Sequence, residues 1–207
     1  MLKVWGRNNS SNVQKAMWCI GELGLEYERI DVGGPFAGLD TPEYLAMNPN
    51  GLIPTIQDDG NVLWESHSIV RYLSLKYGKG TLCPEDLGDR HRADRWMDWP
   101  HNGFVEALRV PFRALVRDRD KAEPDMDAVN AAVADGESIL PVLDSHFVGN
   151  PYAAGETFTM GDIPLGCILN RWYSLPIERA SHPAIEDWLG RLRERPAFRE
   201  HVLLESS

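Results

Sequence analysis

The sequence predicts a mixed α/β domain followed by an all-α domain. Short apolar runs typical of strands occur only in the N-terminal part of the chain. A glycine-containing segment, Gly78 to Pro84, then interrupts the pattern. Beyond it, apolar residues recur only at helical spacing. We therefore expect an N-terminal α/β domain over residues 1–80 and an all-helical C-terminal domain over residues 87–207.

The N-terminal domain begins with a strand–helix–strand unit. Leu2 to Trp5 is predicted as a strand, and Val13 to Leu23 as a helix because its apolar residues share one face. Gly24 ends this helix, and Tyr27 to Val32 forms the second strand. The handedness rule for such units makes the two strands parallel neighbours.

A hairpin and a further helix follow. Leu52 to Ile56 is predicted as a strand broken by Pro54, which cannot donate a ladder hydrogen bond. Asp58 to Asn61 has the composition of a hairpin turn, and Val62 to Trp64 forms the returning strand. A helix then begins at Glu65 and Ser66.

This segment has three features that together suit an amino-acid ligand. If the peptide bond to Pro54 is cis, the N–H and C=O of Ile53 face an open edge and can pair with an extended peptide. Ser66 at a helix start offers a hydroxyl and the positive end of the helix dipole to a carboxylate. Glu65 offers a negative charge to an ammonium group. Glutathione, with an α-amino-acid head and a nearby peptide bond, satisfies all three.

These residues resemble those of the cytosolic glutathione transferase superfamily, and in particular its bacterial serine-type members (theta-like and nu-like). The resemblance rests on the pattern Asn48-Pro49-x-Gly51-x-Ile53-Pro54-Thr55, followed by Glu65-Ser66. It implies that the N-terminal domain is thioredoxin-like, that Pro54 is cis, and that Ile53 pairs with the cysteinyl backbone of glutathione. It also implies that Glu65 and Ser66 hold the γ-glutamyl end.

The loop before Pro54 departs from the family pattern. Serine-type relatives often place a His or Lys there to reach the glycyl carboxylate, whereas this chain has Asn50 and Gly51. We keep Asn50 as a glutathione-binding candidate and expect backbone amides, Lys15 or Arg7 to take the missing role.

The polar turn before the first helix supplies the candidates for thiol activation: Ser10, Ser11 and Asn12. The thiolate is the nucleophile, and donors aimed at the sulfur from a helix start stabilise it. The spacing of Ser11 to Lys15 resembles that of serine-type transferases. The spacing of Asn12 to Lys15 resembles that of the nu-like group, which reduces disulfides with glutathione. The choice between these donors stays open, as does the alternative that Ser11 or Asn12 is only a helix N-cap.

The C-terminal domain is predicted as a series of helices. Leu87 to Val116 forms one or two of them, Met126 to Phe147 forms another, and Pro183 to Arg195 forms the last, ended by Pro196. Between them, Thr159 and Asp162 form a capping box, which resembles the one that opens the core helix of the family's second domain.

Two further expectations concern this domain. Pro164, just inside the core helix, is expected to remove one backbone hydrogen bond and distort the helix locally. By resemblance, the electrophile pocket lies between the first turn and the long helix of the second domain. Its candidates are Trp99, Asn102, Phe104, Leu108 and Phe112. The helix around them also carries a basic face, solvated or between subunits, formed by Arg109, Arg113, Arg117 and Arg119.

Composition excludes several classes of function. The net charge of −10 repels a phosphate backbone, so we expect no nucleic-acid partner. Three scattered cysteines form neither a disulfide framework nor a zinc motif, and we expect no metal. Cys19 lies too far into the first helix to be a cysteine-type catalytic residue, so we expect it in the core. No apolar run is long enough for a membrane span, and the N-terminus lacks the pattern of a signal peptide, so we expect a cytoplasmic protein.

The sequence therefore predicts a glutathione transferase, homodimeric by resemblance, that uses glutathione as co-substrate against a small hydrophobic electrophile. A glutathione-dependent disulfide or peroxide reductase is the alternative enzyme, and a non-catalytic binding protein on the same fold is the third. The electrophile itself is not readable from the sequence.

Overall fold

The computed structural model describes residues 1–203 and confirms the predicted fold class. The N-terminal domain is built on four strands: β1 (Leu2–Trp5), β2 (Tyr27–Ile30), β3 (Thr55–Asp58) and β4 (Asn61–Trp64). They form one sheet in the order β2-β1-β3-β4. β1 pairs parallel with β2, as predicted, and antiparallel with β3, which pairs antiparallel with β4.

Three helices accompany this sheet: α1 (Ser11–Glu22), α2 (Pro42–Met47) and α3 (Ser66–Tyr77). α1 begins two residues before the predicted start at Val13, because Ser10 has extended backbone angles (φ −81°, ψ 124°) and is the N-cap. The alternative that Ser11 or Asn12 is the N-cap is therefore wrong. Both residues lie in the first turn, and their side chains are left for other roles.

The hairpin between β3 and β4 forms where predicted. Asp59 (φ 48°) and Gly60 (φ 82°) both have positive φ, which matches the twist of the flanking strands. The predicted start of β3 at Leu52 is wrong, since the strand begins at Thr55, after a cis bond between Ile53 and Pro54. Instead of a strand partner, the carbonyl of Leu52 accepts hydrogen bonds from two side chains.

The C-terminal domain consists of six helices within the described residues: α4 (Leu87–Asp98), α5 (Phe104–Phe112), α6 (Met126–Phe147), α7 (Asp162–Tyr173), α8 (Pro183–Arg193) and α9 (Pro196–His201). A 3₁₀ turn, Trp99–His101, and Gly103 at φ 105° separate α4 from α5, so the first predicted segment is two helices. A π-helical turn, Arg113–Arg117, extends α5.

Two proline predictions are corrected by the structure. Pro196 does not simply end α8 but begins α9, because its fixed φ and missing N–H suit the first helical position. Pro164 lies in the first turn of α7, where a backbone N–H has no intrahelical partner to lose. α7 is accordingly helical from Asp162 onward without the expected distortion.

The capping box orders the start of α7. One carboxylate oxygen of Asp162 accepts from the backbone N–H of Thr159 at 2.9 Å. The other accepts from the backbone N–H of Ala153 at 2.8 Å and from Nε1 of Trp188 at 2.9 Å. Asp162 is fully buried, and burial raises its pKa to about 6 against the pull of these donors. The box therefore joins α7, α8 and the preceding loop.

Trp18 of α1 connects the two domains through a shared core. Its fully buried ring packs edge-on against Phe198 of α9, with ring centroids 4.7 Å apart, and against Phe158 at 5.5 Å. Its Nε1 donates to Glu22, whose carboxylate pairs with Arg195 at 2.6 Å. Within residues 1–203, no helix has the length and apolar character needed to cross a membrane.

Candidate functional site

The first turn of α1 lies against the first turn of α3. The hydroxyl of Ser66, the first residue of α3, donates to Oδ1 of Asn12 at 3.4 Å. Ser66 is 6% exposed and Asn12 is exposed, so the contact lies at the surface of the protein. The candidates for thiol activation and for γ-glutamyl binding are thus adjacent in space although far apart in the sequence.

Lys15 lies directly beneath this contact. Its Nζ is 3.0 Å from Oδ1 of Asn12 and 3.0 Å from Nε2 of His67, and the residue is only 2% exposed. An ammonium group can only donate, so it fixes the Asn12 amide with oxygen inward and the NH₂ group facing away. Burial lowers the pKa of Lys15 to about 8, and the charge of Arg171 acts in the same direction, whereas Glu65 opposes it.

His67 continues the network toward the C-terminal domain. Its Nδ1 is 3.6 Å from Oδ1 of Asp98, which also pairs with Arg71 at 2.6 Å. Burial lowers the pKa of His67 to about 3, and the charges of Lys15 and His101 add to this effect. The imidazole is therefore neutral, accepting from Lys15 at Nε2 and carrying its proton on Nδ1, toward Asp98.

Ser10 and Ser11 are the other two thiol-activation candidates. Ser10 caps α1 with its backbone but makes no capping hydrogen bond with its side chain. Ser11 is the first helical residue and is partly buried. Among residues 1–203, its hydroxyl forms no hydrogen bond, so it remains a donor for a bound group.

The loop around the cis-proline is held by Asn48. Its Oδ1 accepts from both the backbone N–H and Nδ2 of Asn50, each at 3.1 Å. Its Nδ2 donates to the carbonyl of Leu52 at 2.9 Å and to Thr55 at 3.1 Å. Ile53 is partly buried against the core. The side chain of Asn50 is thus engaged in shaping the loop that presents Ile53 and Pro54.

Glu65 has an unusual backbone conformation. Its φ of 69° and ψ of 111° fall in a region that residues other than glycine rarely adopt. Its side chain is exposed. The first hydrogen bond of α3 runs from the N–H of Ile69 to the carbonyl of Glu65 at 2.9 Å. The N–H groups of the intervening first turn therefore have no intrahelical partner and face the site with the helix dipole.

The residues predicted to line the electrophile pocket differ in their burial. Phe104 is fully buried between Trp99 and Trp172, with ring centroids at 6.2 and 5.2 Å, so it belongs to the core and its assignment to a pocket is wrong. Leu108 is 7% exposed. Trp99 and Phe112 are partly buried, and Asn102 is exposed.

Arg171 was not predicted from the sequence, although a charged residue in the apolar run of α7 is a signal. Its Nη2 donates to the carbonyl of Asn9 at 2.9 Å, directly before the Ser10–Asn12 turn. Its guanidinium lies 4.5 Å above the ring of Phe112. Burial lowers the pKa of Arg171 to about 10. Arg171 therefore connects the first turn with α5.

The cysteines do not take part in this site. Cys19 is fully buried, and burial raises its pKa to about 12, which agrees with the predicted role in core packing. Cys83 and Cys167 are also buried. Among the residues that the structure describes, no cluster of His, Cys, Asp and Glu has the composition of a metal site.

Comparison with known families gives a consistent result. The family model described as the N-terminal domain of glutathione S-transferase matches residues 9–75, and that of the C-terminal domain matches residues 106–196. The chain is 35% identical to glutathione S-transferase GstB of Escherichia coli K12 over 209 aligned positions, covering 100% of both chains. It is 30% identical to glutathione S-transferase 3 of Zea mays, covering 97% of this chain and 93% of that protein.

Solved structures agree with these sequence matches. A theta-class glutathione S-transferase from Xanthomonas axonopodis pv. citri, crystallised with glutathione bound, superposes with a TM-score of 0.95 at 44% identity. The match covers 100% of this chain and 99% of that one.

Proposed function

Since the chain belongs to the glutathione S-transferase family, as the sequence motifs predicted, we propose that it is a glutathione transferase acting from the site described above. The observation that carries the proposal is the 3.4 Å contact between Ser66 and Asn12. This contact supports the proposal because it joins a helix start, suited to a carboxylate, with a turn of hydroxyl and amide groups, suited to a thiolate. Glutathione presents both groups in one molecule.

The γ-glutamyl end is proposed to bind at the start of α3. Its carboxylate accepts hydrogen bonds from the Ser66 hydroxyl, which otherwise donates to Asn12, and from the N–H groups of the first turn of α3. Its ammonium meets the exposed carboxylate of Glu65. The cysteinyl backbone pairs with the main chain of Ile53, whose loop is held open by the Asn48 hydrogen bonds.

Ser11 is the proposed donor to the thiolate. Its hydroxyl has no partner within residues 1–203 and lies at the positive end of α1. Lowering the pKa of a thiol by two units corresponds to about 3 kcal/mol of preferential thiolate stabilisation. A preorganised donor in a partly desolvated site can supply a contribution of this size. The thiolate then attacks an electrophilic carbon, forming the S–C bond while the leaving group departs with its electron pair.

A glutathione-dependent disulfide or peroxide reductase is the second candidate. It is favoured by the orientation of Asn12, whose oxygen is held by Lys15 and Ser66 and whose NH₂ group is therefore directed away from both. In this reaction the thiolate attacks a sulfur or peroxide oxygen instead of carbon. A non-catalytic binding protein is less favoured, because it has no need for a buried cation that orients a single amide.

We also propose that the protein is a cytoplasmic homodimer that detoxifies small hydrophobic electrophiles, needs no metal, and binds neither nucleic acid nor membrane. The family membership supports the dimer and the substrate class. The net charge of −10 opposes binding to nucleic acid.

The deciding experiment is a calorimetric titration with glutathione of the wild type, Ser66→Ala and Ser68→Ala. Ser68 lies in the same turn of α3 but is exposed and outside the contact with Asn12, so it is the matched control. We expect Ser66→Ala to weaken binding about tenfold, the size of one hydrogen bond to a charged group. Ser68→Ala should leave binding unchanged. Absence of binding to the wild type would overturn the proposal.

A further inference from the structure

The part of the site next to the thiol donors is unusually basic for an acidic protein. It contains three arginines from different elements: Arg7 from the loop after β1, Arg117 from the π-helical turn after α5, and Arg171 from α7. Burial lowers the pKa of Arg7, and the charge of Arg117 lowers it further. Burial also lowers the pKa of Arg171, and the charge of Arg7 lowers it further. Arg7 and Arg171 both contact Asn9, and the charge of Arg117 acts on Arg7.

None of the three has an acidic partner in the described part of the chain. This separates Arg117 from the rest of the predicted basic face. Arg109 pairs with Glu106, Arg113 with Asp118 at 3.2 Å, and Arg119 with Asp120 at 3.6 Å. The predicted solvated face therefore describes the paired arginines, whereas Arg117 has no acidic partner among residues 1–203 and its charge acts on Arg7.

Neutral groups hold two of these arginines in place. Arg7 donates to the side chain of Asn9, and Arg171 donates to the carbonyl of Asn9 at 2.9 Å while its plane lies over Phe112. Such contacts fix a guanidinium without neutralising its charge. Like charges held near one another are unfavourable unless an anion lies between them, so this arrangement favours the binding of an anion.

The anion site adjoins the thiol donors. Asn9 and Ser11 are two residues apart, so at most about 7 Å of chain separates the arginine contacts from the proposed thiolate donor. Two of the three arginines, and Phe112, belong to the C-terminal domain, whereas the residues proposed to hold glutathione belong to the N-terminal domain. The anion therefore belongs to the molecule on the electrophile side.

We infer that this transferase prefers small electrophiles that carry a carboxylate, which Arg7, Arg117 and Arg171 bind while the thiolate attacks a carbon a few bonds away. This inference rests on the proposed function and names its substrate class. It narrows the small hydrophobic electrophiles proposed above to those that also carry an anionic group. Phe112 supplies the apolar wall and the arginines supply the charge.

Iodoacetate and iodoacetamide test this inference, because they share the reacting C–I bond and differ in one charge. In both reactions the glutathione S–C bond forms, iodide leaves with the electron pair, and the thiol proton goes to solvent. Rates of the catalysed reaction are divided by the uncatalysed rates with each reagent. We expect the wild type to accelerate the iodoacetate reaction at least tenfold more than the iodoacetamide reaction.

Variants assign the effect to the arginines. Arg117→Gln should lower kcat/KM for iodoacetate about tenfold, while kcat/KM for iodoacetamide and KM for glutathione stay unchanged. Arg113→Gln, an exposed arginine of the same π-helical turn that pairs with Asp118, should change neither. Equal losses with both reagents would overturn the inference. A raised KM for glutathione with both would show that the arginines bind the glycyl carboxylate instead.

Binding of the two products separates this inference from the proposed function. If the protein binds glutathione but turns over neither reagent, the proposed activity fails while the anion site is still testable. S-carboxymethylglutathione should then bind at least tenfold more tightly than its amide counterpart, and Arg117→Gln should abolish the difference. Equal binding of acid and amide would overturn the inference whatever the activity.

Discussion

The buried Nζ of Lys15 lies 3.0 Å from Oδ1 of Asn12, so one cation sets the orientation of an exposed amide at the centre of the site. Lys15 also lies 3.0 Å from Nε2 of His67, which fixes the tautomer of that imidazole. The cation is therefore a positioning group that acts through its neighbours.

The protonation of Lys15 should be visible in the stability of the protein. Its pKa is lowered by burial from 10.5 to about 8 in the folded state. Below pH 8 both states are protonated and the cost of burying the charge is fully present. Between pH 8 and 10.5 the unfolded chain holds a proton that the native state has released, so the free energy of unfolding rises with pH.

Urea denaturation of the wild type and Lys15→Met at pH 7.5, 9 and 10.5 measures this effect. The difference in free energy of unfolding should shift by about 3 kcal/mol in favour of the wild type across this range. A difference that does not depend on pH would mean that the amine is solvated in the folded protein.

Ser11→Ala and Asn12→Ala should separate the two candidate reactions. Loss of the Ser11 hydroxyl should raise the pKa of bound glutathione, followed by thiolate absorbance, and lower kcat/KM for conjugation about 100-fold, as for loss of one oxyanion donor. Asn12→Ala should have the smaller effect on conjugation. The opposite result would be a loss of disulfide reduction in Asn12→Ala that exceeds the loss of either reaction in Ser11→Ala. Disulfide reduction would then be the main activity of the protein.

Glu65 should show opposite effects on stability and binding. At φ 69° its backbone conformation costs about 1–3 kcal/mol. Glu65→Gly relieves most of this strain and should raise the free energy of unfolding by about 1 kcal/mol, after allowing for the entropy of glycine. Glu65→Ala retains the strain and should not be stabilised.

Both Glu65 variants lack the carboxylate, so both should bind glutathione more weakly in the same calorimetric assay. The pair thus separates the backbone effect from the loss of charge. If Glu65→Gly keeps the wild-type affinity, the carboxylate has no role in holding the γ-glutamyl ammonium.

Asp162 should be among the most sensitive positions for stability. Asp162→Ala leaves the buried N–H groups of Thr159, Ala153 and Trp188 without an acceptor, which should cost on the order of 4 kcal/mol in thermal or urea denaturation. Thr159→Ala removes only the hydroxyl contacts and should cost about 1 kcal/mol. Similar losses in both variants would contradict the central role of the carboxylate.

The elements that follow local rules were predictable from sequence. The hairpin at Asp59 and Gly60 and the helix start at Ser66 each depend on residues close in sequence, and both form as expected. The predicted capping box forms only in part: Asp162 accepts from the N–H of Thr159, but the N-cap of α7 is Gly161. The start of β3 was wrong because the Leu52 carbonyl finds side-chain partners from α2 and the following loop, which no periodicity reveals.

The site was predictable only in part, because its polar network is built across the sequence. Asn12, Ser66 and Glu65 were proposed from their motifs, and the structure places Ser66 in contact with Asn12. The contact of Lys15 with His67, and of Arg171 with Asn9, joins residues 52 and 162 positions apart. Phe104 was misplaced because an aromatic residue at helical spacing looks the same whether it lines a pocket or fills the core.

Trp18 limits how modular this protein can be. A Cβ at Gly166 of α7 would lie 2.9 Å from the Trp18 ring and 2.7 Å from Leu192, so the indole fits only against a glycine there. Consider a chimaera that joins this N-terminal half to the helical half of a relative. Its two halves can pack around Trp18 only if the relative has a glycine at the position of Gly166 and an aromatic residue at that of Phe198. The two halves are distinct as folds, yet as units of recombination they are one.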